Sequence, residues 1–114
     1  MHAVEQERER VKKALGGIPT VKQVATSWPK ALEATPLILL MQAGESAEDY
    51  RDDSEYLTEI EWYVRVFCKR EEQQRSICGA VYDTMTALGY ARTFRWDESA
   101  ADVRQTVFRF QMTI

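Results

Sequence analysis

Residues 56–69, Tyr-Leu-Thr-Glu-Ile-Glu-Trp-Tyr-Val-Arg-Val-Phe-Cys-Lys, constrain this chain more than any other stretch. Most of the run alternates with a period of two, which is the periodicity of a β-strand and not of a helix. One face collects Ile60, Trp62, Val64 and Val66, four large apolar side chains in a row, and therefore belongs to a core. The other face carries Leu57, Glu59, Glu61, Tyr63, Arg65 and Phe67. Charge mixed with two aromatics predicts a face partly covered by another element or another subunit. A strand of this kind needs paired strands beside it and a layer on its apolar side.

The neighbours are legible by the same reasoning. Residues 70–89 carry Ile77, Val81, Met85 and Leu88 at helical spacing, flanked by Cys78 and Tyr82, with Glu71 and Glu72 at the start and Gly89 at the expected C′ position. This is an amphipathic helix facing the core. Residues 3–15 read as a first helix closed by Gly16-Gly17, with a thin apolar stripe of Val4, Val11, Ala14 and Leu15. So sparse a stripe predicts weak packing on its own sheet, so that the helix frays or meets a neighbouring chain. Residues 21–28 predict a short strand ending at Trp28-Pro29. Residues 37–43, apolar but for Gln42 and set between Pro36 and Gly44, predict a central buried strand. Tyr90, Arg92, Phe94 and Trp96 alternate in the next strand. In the last, Phe108, Phe110, Met112 and Ile114 face the core, opposite Arg109, Gln111 and Thr113. The expected fold is α+β, order α-β-β-β-α-β-β, with a mixed or antiparallel sheet of about five strands and two helices on one face.

At 114 residues the chain reads as one domain, 1–114, with residues 1–17 as N-terminal helix and cap. Residues 45–55 hold six acids (Glu45, Glu48, Asp49, Asp52, Asp53, Glu55) against Arg51, with Tyr50 as the only aromatic, and read as a mobile acidic loop. Counted from Asp49, a calcium loop would need an acid where Arg51 stands and glycine where Ser54 stands, so no metal site is expected.

Catalytic chemistry finds no purchase. His2 is the single histidine, no glycine-rich phosphate loop occurs, and the paired acids Glu59 and Glu61 lie on a solvated strand face. Cys68 and Cys78 match no zinc or redox spacing, and read as buried reduced thiols before a structural disulfide. The net charge of −3 gives no general case for nucleic acid or an anionic membrane. Arginines do interleave with aromatics in residues 92–110, but Phe108 and Phe110 lie on the core face, so a solvated arginine face is the better reading. The charged opening "MHAVEQERERVKK" lacks the apolar stretch of a signal peptide, and the expected location is cytoplasmic.

The order of features resembles a known family. "PLILLMQAGE", an acidic stretch, "EYLTEIEWYVRVFCK", a helix ending "MTALGY", then "ARTFRWDE" and "VFRFQMTI" together look like the tail terminator, or tail-completion, proteins of long-tailed double-stranded DNA phages and prophages. The likeness spans roughly Ile18 to Ile114. It implies a non-enzymatic, cofactor-free virion component: a homo-oligomeric ring, hexameric, that caps the tail tube, ends its polymerisation and presents the docking surface for the head. Its implied partners are copies of itself, the tail tube protein and the head-tail connector. DNA is met only by passage through the channel, and no membrane is involved. The implied location is the cytoplasm during assembly and then the virion tail. Within the resemblance, the expected contact residues are Glu48, Asp49, Tyr50, Asp52, Asp53, Tyr63, Arg65 and Phe67, along with the thin first helix and an exposed edge on the final strand. A head-tail connector, a minor tail subunit, or a small ferredoxin-like module binding RNA or a regulatory partner are the alternatives.

Overall fold

The computed structural model describes residues 3–30, 35–43, 59–100 and 102–113. The elements run α1 (Ala3–Gly16), β1 (Gln23–Ala25), β2 (Leu37–Gln42), β3 (Glu59–Cys68), α2 (Glu71–Ala87), β4 (Ala91–Asp97) and β5 (Arg104–Thr113). The five strands form one mixed sheet in the order β1-β2-β3-β5-β4. β1 runs parallel to β2, and every other neighbouring pair is antiparallel. The fold is α+β, as the element order predicts.

β3 is the axis of the sheet. All ten of its residues pair with β5, from Glu59 opposite Thr113 to Cys68 opposite Arg104, and its C-terminal part pairs with β2 on the other side. Ile60, Trp62, Val64 and Val66 are fully buried. They join Ile38 and Leu40 of β2, Phe108 and Phe110 of β5, and Ile77, Val81 and Met85 of α2 in one continuous core. Leu88 and Met112 are half-buried against its margin. Both helices pack on this face of the sheet, since Val11 and Leu15 of α1 belong to the same cluster. Gly89 follows the α2 C-cap at φ +103°, a conformation that glycine adopts without steric cost. A Cβ there would also stand 3.3 Å from Met112 Sδ.

Four expectations change. α1 is helical from Ala3 to Gly16 and packs on its own sheet more firmly than the thin stripe predicts. Val11 and Leu15 are fully buried, and polar ties supplement the thin stripe. Tyr90 Oη donates to Glu7 (2.7 Å), Trp62 Nε1 donates to Tyr90 Oη (2.9 Å), and Arg10 donates to the Leu88 carbonyl (3.1 Å). The early strand is only three residues long, leaving Trp28 beyond its end. β5 is interior and offers no free edge; the edges are β1 and β4. The alternation of β4 is also broken. Its register shifts between Arg92 and Phe94, so Arg92 lies opposite Phe110 on the helix side while Phe94 and Trp96 lie opposite Arg109 and Val107 on the other. A bulge at Thr93 moves the two aromatics to the opposite face from Arg92.

Candidate functional site

The face of the sheet away from the helices divides into two parts. At the β1–β2 side, Leu37, Leu39 and Phe67 are buried in a second, smaller apolar cluster with Ala25, Met41 and Val103 at its border. The Trp28 ring meets Phe67 edge-on, with centroids 6.1 Å apart. Phe67 was expected in a contact surface, yet it is only 2% exposed. The cover comes from its own chain, because the segment after β1 carries Trp28 back across the sheet.

Toward β4 the same face is open and built of alternating aromatics and arginines. The Arg65 guanidinium stands 5.2 Å from the Trp28 ring centre and 6.0 Å from that of Tyr63. Tyr63 meets Trp96 edge-on at 6.2 Å, Trp96 meets Phe94 at 6.4 Å, and Arg109 lies 4.8 Å from the Phe94 ring centre. Trp28 and Phe94 are each 55% exposed, an unusual state for side chains of that size on one sheet face. This is a row from Trp28 to Arg109, held in place by the strands beneath it.

Its charges are largely matched within the row. Arg65 donates to Gln105 Oε1 (3.0 Å) and pairs with Glu98 (3.3 Å), Trp96 Nε1 donates to Glu98, and Arg109 approaches Glu61 at 4.0 Å. Gln111 Nε2 donates to Glu59 (2.8 Å). The Trp96 N–H, and secondarily Arg65, hold the Glu98 carboxyl below its ordinary range. The surface is therefore amphipathic and nearly balanced in charge. It is suited to contact with another protein surface rather than to gathering phosphates.

Of the expected contact residues, Tyr63 and Arg65 lie in this row and are half-buried. Glu48, Asp49, Tyr50, Asp52 and Asp53 fall outside the described residues, as does Ile114. Trp28, Phe94, Trp96 and Arg109 belong to the row although the sequence did not single them out as contact residues. Arg109 was legible from its place opposite Phe108 and Phe110 in the alternation, but Phe94 and Trp96 were masked by the bulge.

A polar recess of about 160 Å³ opens elsewhere, between the start of α2 and the ends of β4 and β5. There Gln74, 7% exposed, donates to the Val66 carbonyl (2.9 Å) and to Thr106 Oγ1 (2.8 Å), and Thr106 donates to Asp97 (2.8 Å). These bonds stitch α2 to the sheet. Cys68 and Cys78 are free and buried; burial pushes the Cys68 thiol up to about 11 and raises that of Cys78 as well. Neither thiol has the enhanced acidity of a nucleophile. Among the described residues no group of three or more His, Cys, Asp or Glu could hold a metal ion, and no helix is long and apolar enough to cross a membrane.

No protein-family model and no curated protein matches the sequence.

Proposed function

We propose that this chain is a non-enzymatic structural subunit of a long-tailed phage or prophage tail, of the tail-terminator kind. In this reading copies of the chain assemble head to tail into a closed ring, six-membered as the sequence resemblance implies. The ring caps the tail tube, stops its growth and presents a surface to the head-tail connector. The observation that carries the reading is the amphipathic row Trp28–Arg65–Tyr63–Trp96–Phe94–Arg109 on the helix-free face. Aromatics and arginines are the residues most enriched in protein contact surfaces, and here they are preassembled on rigid strands. The edge strand β4 carries a bulge and the charged residues Arg92, Arg95 and Asp97, features that disfavour open-ended strand pairing. Assembly through side-chain surfaces suits a ring that must close rather than a filament that keeps growing.

Native mass spectrometry and negative-stain electron microscopy over a rising concentration series test this. Six-membered rings that arrest polymerisation of the tube protein are expected, and a strict monomer at high concentration overturns the reading.

The same row favours one other reading, a single-stranded RNA platform, because exposed sheet aromatics next to arginines stack bases. Against it, the described contacts among the rings are edge-on and both arginines have acidic partners in the row. Quenching of tryptophan fluorescence by an RNA oligomer separates the two: tight, salt-sensitive quenching by a monomer favours RNA.

A further inference from the structure

Three lysines converge where α1 ends beside the free edge of the sheet. Lys12 and Lys13 come from the end of α1 and Lys22 immediately precedes β1; all three are exposed. They line a cleft of about 440 Å³ whose apolar part is Val21 and Val24, with Glu9 as its one acid among the described residues. Three ammonium groups against one carboxylate leave two positive charges. Among the described residues none of these lysines makes an ion pair, and every pair that does form uses an arginine. Beside the cleft, β1 pairs with β2 alone among the described residues, so one edge of Gln23–Ala25 carries no described strand. Unmatched cations, a small apolar floor and a free strand edge together fit an extended acidic segment.

The chain itself supplies one of matching charge. Residues 45–55 hold six acids and one arginine, a net of five negative charges. We infer that the lysine cleft of one copy receives the acidic stretch 45–55 of a second copy, an inference that rests on the ring reading above. The two features lie at opposite ends of the sheet, which suits a contact between copies. The acidic stretch leaves after Gln42 and returns at Glu59, at the end of the sheet where Gln42 pairs with Trp62 and Glu59 with Thr113. The cleft lies at the other end of β2, where Gln23 pairs with Leu37. Five steps along a strand separate those ends by about 17 Å. A donor at one end and an acceptor at the other make a head-to-tail contact, the arrangement that closes a ring by rotation.

The test uses the full-length protein as an equal mixture of ¹⁵N-labelled and unlabelled chains, treated with a carbodiimide that joins ammonium groups to touching carboxylates. Expected are mixed-isotope cross-links between Lys12, Lys13 or Lys22 and acids of 45–55, weakening as salt rises. Links confined to a single isotopic copy overturn the inference, and so does protection of these lysines by duplex DNA without any such link. Oligomers that form without these links remove this contact and leave the ring reading standing. A monomer without links removes both.

Charge exchange gives a second arm. K12E/K13E/K22E and D49K/D52K/D53K should each weaken self-association by about tenfold or more, and the lysine variant should melt like the wild type, since exposed charges contribute little to the fold. Mixing the two variants should restore association, because each then offers the charge that the other lacks. Two folded variants that stay apart on mixing overturn the inference.

Discussion

The two faces of the sheet use the same residue classes to opposite ends. On the helix side Trp62, Phe108 and Phe110 are fully buried, the two phenylalanine rings stacked at 5.4 Å, under a lid formed by both helices. On the other side Trp28, Phe94 and Trp96 remain at least partly in water, propped by Arg65 and Arg109. Burial of apolar area stabilises by roughly 25 cal/mol per Å², so the first set dominates stability. The second set keeps much of that area in water and adds correspondingly less to the stability of the chain. Aromatic content thus does not separate core from open face; the layer above each face does.

That contrast breaks most sharply at Phe110. Phe110→Ala should cost about 3–5 kcal/mol in chemical denaturation, the usual range for emptying a large aromatic site in a core. A loss below about 1 kcal/mol would show that the helix-side layer is not the stabilising one. Tyr90→Phe comes next, at about 1–2 kcal/mol, because it leaves the buried Trp62 N–H without its acceptor and removes the donor to Glu7. The side chain keeps its ring, so an unchanged urea midpoint would mean that the Tyr90 tie adds nothing to the seating of α1.

Acid should act through the same tie. Glu7 is held below its ordinary value of 4.5, first by the hydrogen bond from Arg10 and also by that from Tyr90, while burial opposes the shift. A depressed folded value means that stabilisation is fully present above pH 4.5 and is lost as pH falls through the lower value. Urea midpoints from pH 6 down to 3 should therefore drop more steeply for the wild type than for Glu7→Gln. Parallel curves would remove Glu7 from the acid response. The smallest effect on stability belongs to the open row. Phe94→Ser should change the denaturation midpoint by no more than about 0.5 kcal/mol while weakening self-association. A large stability loss there would mean that the row is already covered within its own chain, as Phe67 is.

Much of this is readable in the sequence. The two faces of β3, the stripe of α2 and the glycine after it come from periodicity alone, because a strand or helix half in water must repeat its apolar residues every 2 or 3.6 positions. The buried, free state of Cys68 and Cys78 agrees with their poor fit to any ligand spacing. The candidate surface was only half legible. Tyr63 and Arg65 stood out because they share a strand face with Glu59 and Glu61. Phe94 and Trp96 did not, since a bulge without glycine leaves no mark in the sequence yet reverses the face of every later residue in its strand. The seating of α1 was also hidden. Glu7 and Arg10 look like ordinary helix-surface charges until Tyr90 and Leu88 are brought beside them from about eighty residues away.

The sequence alone therefore determined local matters: which residues repeat in register, where helices stop, and that the chain would form an α+β unit. Which apolar residues ended up under a helix, which strand became an edge, and which charges were left unmatched were decided by tertiary structure. Period is a property of neighbours along the chain, but coverage depends on segments far apart in sequence. Trp28 is the plain case: nothing in "TSWPK" places it, and only the pairing of β1 beside β2 lays its ring over Phe67 and against Arg65.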